Sequence, residues 1–142
     1  MSGEFVTKDS GHRREFQTGA RRDRAIGKGR YDLIPPMLLE RYAKVLERGA
    51  IKYGPNNWQK GMPLSCFIDS ALRHVAQLAA GDRDEDHAFQ AIFNLVGYEW
   101  TRQEIIEGRL PVALADHPGD PVSELLTAID QEAGEVDPLA DL

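Results

Sequence analysis

Residues 85–107 read EDHAFQAIFNLVGYEWTRQEIIE, and this stretch decides the fold. Its apolar residues recur at helical spacing and almost encircle the helix axis, and Gly108 and Pro111 then end the pattern. A helix that is apolar on most of its sides is buried on most of them, by neighbouring helices or by a second subunit. The stretch therefore predicts the central helix of an all-α protein.

Two other helices are predicted before the central one. The first runs from about Pro36 to Tyr53, where Gly54 stops it, and the second runs from about Ser65, a favourable N-cap, to Ala80. Only a short link separates the second helix from the central helix, so these two are expected to form an antiparallel hairpin. Val, Ile and Thr are not concentrated in alternating runs, so no strand is predicted. The predicted fold class is all-α, a helical bundle.

The two ends of the chain differ in charge. Residues 1–30 hold eight basic and four acidic side chains, whereas residues 116–142 hold eight acidic side chains and no Lys or Arg. We predict a flexible basic arm over 1–26, an all-α domain over 27–110, and a linker, short helix and acidic tail over 111–142. The short helix starts at Asp120-Pro121, and its apolar stripe is Val122, Leu125, Leu126 and Ile129.

The composition excludes several classes of protein. The chain has 142 residues, of which 42% are hydrophobic and 28% charged, as in a soluble globular protein. Cys66 is the only cysteine, which excludes an intrachain disulfide and sites built from several thiolates, and suits a reducing compartment. No apolar run approaches the roughly 18 residues of a membrane span, and the N-terminus lacks a signal-peptide pattern. We therefore expect a cytoplasmic protein without a membrane span.

Polar side chains interrupt the apolar faces of the hairpin helices. His74 lies on an apolar stripe, and His87 and Asn94 share a line on the central helix. Each of them alone is open to interpretation as a hydrogen-bonded core residue. The antiparallel hairpin, however, brings His74 toward His87, and further polar side chains cluster with them. These are Asp69, Arg73 and Asp86. Carboxylates with a few imidazoles on the inner faces of a bundle are typical of Mg²⁺ or Mn²⁺ sites.

The first helix and two loops carry further candidates. Glu40 and Glu47 lie on one face of the helix, either as ligands or as part of a solvated ion-pair ladder with Lys44. Residues 27–32 place Lys28 and Arg30 next to glycines that allow close approach to a phosphate. The loop after the first helix offers a cation, an amide and an aromatic ring that could contact a nucleobase. The aromatic ring could equally well pack in the hydrophobic core. These residues are Lys52, Asn57 and Trp58.

Several motifs between residues 27 and 108 together resemble a known family. They are GKGRYDLIPP at 27–36, GAIKYG at 49–54, Asn57-Trp58, Arg73-His74, Gly81-Asp82-Arg83, and Glu85-Asp86-His87 through Asn94. This combination resembles the phage-borne dATP/dGTP diphosphohydrolases, the MazZ-like group that is related to the all-α MazG nucleotide pyrophosphatases.

The resemblance implies hydrolysis of a purine deoxynucleoside triphosphate to the monophosphate and pyrophosphate, with Mg²⁺ or Mn²⁺ as cofactor. In phages that replace adenine by 2-aminoadenine, it implies dGMP as the precursor of the modified base. It also implies a homo-oligomer, a dimer or tetramer, which accounts for the apolar sides of the central helix. The EExxE and ExxD motifs of MazG enzymes are not intact in this sequence, so no metal ligand is carried over from them.

Under this hypothesis each group of polar residues has a role. The candidate metal ligands are Glu40, Glu47, Asp69, Asp82 and Asp86. The catalytic candidates, which orient ligands or water, are His74, His87 and Asn94. The candidates for neutralising the triphosphate are Lys28, Arg30, Lys52 and Arg73. The candidates for contacting the base are Asp32, Asn57 and Trp58.

Two other classes of function stay open. A nucleic-acid-binding module would use the basic side chains of residues 12–30 on phosphates. The net charge of −6 and the inward-facing polar residues argue against it. A purely structural helical oligomer would have neither activity nor metal-dependent stabilisation.

Overall fold

The structure is a computed structural model that describes residues 6–119 together with residues 122, 124, 126 and 127. The chain divides into two compact units, Met1–Pro36 and Met37–Leu142. The predicted domain limits of 1–26, 27–110 and 111–142 stay a prediction.

Three α-helices follow one another along the chain. They are α1 (Pro36–Tyr53), α2 (Leu64–Ala79) and α3 (His87–Ile106). The chain also has short 3₁₀ turns. They come before α1 (Tyr31–Leu33), between α1 and α2 (Asn57–Lys60), and after α3 (Val112–Leu114). The all-α class predicted from the sequence is confirmed. Within the described residues, no helix is both long and apolar enough to cross a membrane.

The predicted N-cap of α2 is wrong. The helix begins at Leu64, after Pro63, whose backbone is extended. Ser65 lies inside the first turn instead. Its backbone N–H and its hydroxyl donate to the two carboxylate oxygens of Asp116, at 2.9 and 2.6 Å. One of the unpaired backbone donors at the start of α2, the N–H of Ser65, is therefore satisfied from the segment that follows α3.

α2 and α3 form the antiparallel hairpin that the short link predicts. Leu64 and Phe67 at the start of α2 share one buried cluster with Ile105 and Tyr98 toward the end of α3, and Val122 completes that cluster. At the other end of the hairpin, the end of α2 meets the start of α3. The hydrophobic core therefore lies between these two helices, away from the end at which they are linked.

The start of α3 is fixed by a side chain. Asp86 occupies the N-cap position, and its Oδ1 accepts a hydrogen bond from the backbone N–H of Phe89 at 3.3 Å. An aspartate at this position satisfies one of the four donors that the first turn leaves unpaired. The helix thus starts two residues later than the sequence predicts.

The first unit contains a β-hairpin where the sequence predicts no strand. Strands β1 (Arg13–Glu15) and β2 (Arg21–Asp23) pair antiparallel, with Arg14 opposite Arg22. Their side chains are almost all exposed, so there is no alternation of apolar and polar residues to reveal them. Backbone hydrogen bonds across the turn close the hairpin, and Asp23 accepts hydrogen bonds from Ser10.

The predicted short helix after Asp120 is described only in part. Val122, Glu124, Leu126 and Thr127 are helical, and Val122 is fully buried. The rest of that predicted helix, including Leu125 and Ile129, and the acidic tail lie outside the described residues.

Candidate functional site

A cavity of about 1570 Å³ lies between α1, the loop that follows α1, and the linked ends of α2 and α3. Charged side chains of both signs line it. The acidic ones are Glu47, Asp84, Glu85 and Asp86, and the basic ones are Arg41, Arg48, Lys52, Arg73 and Arg83. A cavity with this lining suits a multiply charged anion together with a cation.

Two buried histidines face each other beside this cavity. His74 on α2 is 7% exposed and His87 at the start of α3 is 1% exposed. Their Nδ1 atoms are 2.9 Å apart, so the juxtaposition predicted from the helical hairpin is confirmed. One nitrogen of such a pair must donate and the other must accept.

Asp84 decides which nitrogen of His87 carries the proton. Its Oδ1 lies 2.7 Å from Nε2 of His87. A carboxylate can only accept, so Nε2 is the donor, and in the corresponding neutral tautomer Nδ1 of His87 is the acceptor that faces His74. The same hydrogen bond holds the pKa of the Asp84 carboxyl below its usual range. Asp84 is therefore ionised at neutral pH.

Glu85 adds a carboxylate to the two imidazoles. Its Oε2 lies 4.0 Å from Nδ1 of His87, and one ligand atom from each of His74, Glu85 and His87 falls within 4.8 Å of the others. Burial lowers the pKa of His74, so its imidazole is neutral at pH 7. Two imidazoles and a carboxylate together form a donor set that can bind a divalent metal ion.

Asp86 is engaged by an arginine of α1. Nε and Nη2 of Arg41 donate to its two carboxylate oxygens at 3.0 and 2.7 Å, and the guanidinium lies 4.4 Å from the centre of the Phe89 ring. This hydrogen-bonded pair holds the pKa of Asp86 below its usual range. The contact ties α1 to the first turn of α3. Asp86 as a metal ligand stays a prediction.

The structure separates the other carboxylates predicted to bind metal. Glu47 lines the cavity, whereas Glu40, Asp69 and Asp82 are exposed and do not line it. Glu40 pairs with Lys44 at 3.0 Å, as in the solvated ladder that the spacing also allows. That these four carboxylates bind a metal ion stays a prediction.

The predicted nucleotide-binding residues fall into two groups. Lys52, Asn57, Trp58 and Arg73 line the cavity in the second unit. Trp58 also packs edge-on against Phe93 and Trp100 of α3, with ring centres 5.8 and 5.1 Å apart. Lys28, Arg30 and Asp32 belong to the first unit. There Lys28 pairs with Asp23 at 3.1 Å, and Arg30 makes a bidentate pair with Asp32.

Asn94 is buried and lines the same cavity. Its Nδ2 donates to the backbone carbonyl of Gln90 at 2.8 Å, one turn earlier on α3. Gln77, one turn after His74 on α2, also lines the cavity. Its buried Oε1 has no hydrogen-bond partner in the described part of the chain. An acceptor buried without a partner is costly, and this one lies beside a charged cavity.

Several residues of the site were missed by the sequence analysis. They are Arg41, Arg48, Gln77, Arg83, Asp84 and Glu85. The spacing of Asp84, three residues before His87, could have indicated a contact between these two side chains. Glu85 and Arg83 lie in the link between helices, where no period predicts the direction of a side chain.

Comparison with known proteins assigns the chain to a family. The family profile described as "dATP/dGTP diphosphohydrolase, N-terminal" matches residues 18–107. A protein of Salmonella phage PMBT28 named dATP/dGTP diphosphohydrolase is 37% identical over 79 residues, which cover 52% of this chain and 27% of that protein. The chain thus spans about a quarter of the length of this relative. No solved structure matches the chain. The matched residues include all three helices and the cavity between them, and the chain belongs to the family of the dATP/dGTP diphosphohydrolase N-terminal region.

Proposed function

We propose that the chain hydrolyses a purine deoxynucleoside triphosphate, dGTP or dATP, to the monophosphate and pyrophosphate with a divalent cation. One observation carries the proposal: His74, which faces the buried His87, lines one cavity together with Glu85 and several cationic side chains. The family and the name of the phage relative support this substrate class. By the resemblance drawn from the sequence motifs, dGMP would then serve as a precursor for phage DNA with a modified purine.

The triphosphate would be bound by the basic lining of the cavity. Arg48, Lys52, Arg73 and Arg83 make no ion pair within 4 Å with any other described residue. Unpaired cations at a cavity wall repel each other until an anion binds between them. Arg41 is different, because Asp86 already engages it. The four cations without a carboxylate partner are therefore the candidates that neutralise the phosphates.

The base would lie against the loop after α1. Trp58 is half-buried by Phe93 and Trp100, which hold its ring in place, and Asn57 beside it also lines the cavity. A fixed aromatic ring favours stacking, and an amide can both donate and accept hydrogen bonds at a base edge. This pairing supports the proposal of a nucleobase subsite.

His74, Glu85 and His87 would hold the divalent cation. Their donor chemistry fits a cation, because imidazole nitrogens and carboxylate oxygens both offer lone pairs to a bound ion. Mn²⁺ accepts such a mixed set, whereas Mg²⁺ prefers oxygen ligands, and Glu85 and Glu47 on the cavity wall could supply them. When bound, the cation would lower the pKa of a water molecule and neutralise phosphate charge.

The remaining polar residues would position these groups. Asp84 holds the proton on Nε2 of His87, and the Arg41–Asp86 pair fixes the first turn of α3 from which His87 projects. Gln77 offers a buried acceptor on the helix that carries His74. These contacts are made within the chain itself, so they would hold the side chains of the site in orientations suited to the substrate.

Product analysis tests the proposal. The purified chain is incubated with Mg²⁺ or Mn²⁺ and each of dATP, dGTP, dCTP, dTTP and GTP, and the products are separated by anion-exchange chromatography. A purine deoxynucleoside monophosphate plus pyrophosphate is the expected result. Deoxynucleoside plus triphosphate would change the reaction class. No turnover with any of these nucleotides would refute the proposal and favour the basic β-hairpin as a nucleic-acid contact.

We also propose that the chain assembles as a homo-oligomer, a dimer or tetramer. Apolar side chains remain exposed on the face of the α2–α3 hairpin opposite the cavity-lining positions. They include Leu72, Val75, Ile92, Leu95 and Val96. The same patch on a second copy would cover this face, as in a two-fold symmetric interface. An exposed apolar patch formed by two packed helices is typical of such a contact.

A further inference from the structure

We propose that one face of the β1–β2 hairpin binds single-stranded nucleic acid, with Arg14 and Arg22 against its phosphates and Phe16 against a base. The hairpin belongs to the first unit, whereas every residue that lines the cavity belongs to the second. The inference goes beyond the proposed hydrolase and does not depend on it, because its test measures binding without nucleotide turnover. Either proposal can therefore fail without the other.

The register of the two strands places Arg14, Arg22 and Phe16 on one face. Arg14 is paired directly with Arg22, and side chains at paired positions lie on the same side of an antiparallel sheet. Phe16 follows Arg14 by two residues, so it continues on that side. The hydrogen bond from the backbone N–H of Phe16 to the carbonyl of Ala20, at 2.9 Å, extends the pairing this far. Among the paired residues, this basic face carries two guanidinium groups and an aromatic ring but no carboxylate.

The opposite face of the hairpin is neutralised within the chain. There Arg13 is paired with Asp23 in the ladder. Glu15 is likewise paired with Arg21, so each basic side chain has an acidic one across the ladder. Arg13 also donates to both carboxylate oxygens of Asp9, at 2.7 and 2.8 Å. The excess positive charge of the hairpin is therefore concentrated on the basic face.

The two arginines of the basic face have no carboxylate partner. Neither Arg14 nor Arg22 makes an ion pair within 4 Å with any other described residue. The Asp23 carboxylate is engaged by Lys28, at 3.1 Å, and by the hydroxyl of Ser10. Nε of Arg14 donates to the backbone carbonyl of Asp23 at 3.3 Å, which does not neutralise its charge.

Repulsion between these two guanidinium groups points to an anionic ligand. Like charges at directly opposed positions destabilise an antiparallel pair, and strands of three residues bring little stability to offset this cost. A phosphate between Arg14 and Arg22 would replace the repulsion with charged hydrogen bonds. The surrounding sequence adds to the attraction, because residues 6–36 hold eight basic and four acidic side chains.

Phe16 favours a single strand over other polyanions. It is 44% exposed, and the guanidinium of Arg14 lies 5.6 Å from the centre of its ring. Aromatic rings and guanidinium planes are the surfaces on which unpaired bases stack in proteins that bind single strands. The bases of a duplex are stacked on each other, and an acidic protein segment has no base, so neither would use the ring in this way. The basic face therefore fits a phosphodiester chain with unpaired bases.

Fluorescence anisotropy tests the site with a labelled oligothymidylate of about 16 nucleotides, titrated with the full chain without nucleotide or divalent metal. Two phosphate contacts predict that the logarithm of the association constant falls with the logarithm of the salt concentration with a slope of about −1.4 or steeper. Arg14→Gln/Arg22→Gln should weaken binding about tenfold or more at low salt and reduce the steepness of this slope by about 1.4. Arg14→Lys/Arg22→Lys keeps both charges and should keep the slope.

Phe16→Leu tests the stacking contact separately from charge. It should weaken binding of the oligothymidylate about fivefold, leave the slope unchanged, and leave binding of a duplex of the same length unchanged. Equal weakening of single strand and duplex would overturn the single-strand assignment. Polyglutamate that competes as well as unlabelled oligothymidylate at equal charge would overturn it in favour of an acidic protein partner.

Lys44→Gln/Arg109→Gln is the matched control, because it also removes two positive charges, here from ion-paired side chains of the second unit. Arg73→Gln removes a cation that lines the cavity. Both should leave binding of the oligothymidylate unchanged, and two-dimensional NMR spectra confirm that each variant keeps the hairpin. No binding by the parent chain, or equal weakening by either control, would refute the assignment. Binding without nucleotide turnover would refute the proposed function but not this site.

Discussion

Gly97 shows how a single residue shapes the core between α2 and α3. A Cβ at this position would lie 2.5 Å from Cε1 and 2.9 Å from Cδ1 of Phe67, which is nearly fully buried. The ring of Phe67 occupies the space that any side chain of residue 97 would need. The glycine is therefore required by close packing, although glycine is unfavourable inside a helix by about 1 kcal/mol relative to alanine.

We predict that Gly97→Ala destabilises the protein by about 1–3 kcal/mol, because overpacking outweighs the gain in helix propensity. Gly49→Ala on α1 is the matched control, since nothing lies within 4 Å of its added Cβ. That variant should be neutral or stabilise the protein by up to about 1 kcal/mol. Urea unfolding measures both. Equal effects of the two substitutions would contradict the packing argument.

His74 and His87 show which parts of a site a sequence can predict. Both lie on regular helices, so the 3.6-residue period and a short link place one against the other, and the structure confirms the contact. Glu85 and Asp84 lie in the irregular link before α3. The direction of a side chain in such a link depends on tertiary contacts, so helical periodicity could not place these two carboxylates.

At the scale of elements, the ion pair between Arg41 and Asp86 connects α1 to α3. Arg41 holds the pKa of the Asp86 carboxyl below its usual range, so folding stabilises the ionised form. This contribution is fully present above the unfolded-state pKa of roughly 4 and is lost as the pH falls through the lower folded-state pKa. The pair therefore stabilises the fold at neutral pH and not in strong acid.

We predict that Asp86→Asn lowers the free energy of unfolding by about 1 kcal/mol at pH 7, a modest value because Arg41 is partly exposed. Asparagine still caps α3, so the loss reports the ion pair alone. The difference from the parent chain should shrink below pH 4, as measured by thermal unfolding across pH. Lys44→Gln, which breaks an exposed i,i+4 pair, should cost less than about 0.5 kcal/mol. A pH-independent effect of Asp86→Asn would contradict this account.

The ends of the elements were predicted best where a proline or a glycine marks them in the sequence. Pro36 and Gly54 bracket α1, and the helix runs from Pro36 to Tyr53 as expected. The β-hairpin was missed because its strands have three residues each and carry almost only exposed polar side chains. Backbone hydrogen bonds and the contacts of Asp23 hold it together. Neither of these interactions requires a periodic pattern of apolar residues, so the sequence does not show the strands.

At the scale of the whole molecule, the cavity brings together four cations without a carboxylate partner, which a triphosphate would neutralise under the proposed function. If the proposed function holds, Arg73→Gln should lower kcat/KM for a purine deoxynucleoside triphosphate by about 10- to 100-fold, as expected for a lost charged hydrogen bond. Steady-state kinetics at constant ionic strength measure the effect. Lys44→Gln removes a cation that does not line the cavity and should leave kcat/KM unchanged. Equal losses in both variants would contradict this prediction, because kcat/KM would then depend on the net charge of the protein and not on a cation in the cavity.

The exposed apolar face is a property of the molecule that its own fold does not account for. Leu72 is 65% and Leu95 is 50% exposed, on helices whose other sides pack on each other or line the cavity. If a second copy covers this face, Leu95→Glu places an unpaired charge in the interface and should reduce the assembly to a monomer. Sedimentation equilibrium measures the mass. Val112→Glu, at an exposed apolar residue outside α2 and α3, should leave the mass unchanged. A parent chain that is already monomeric, or a Leu95→Glu variant of unchanged oligomeric mass, would show that this face is not the subunit contact.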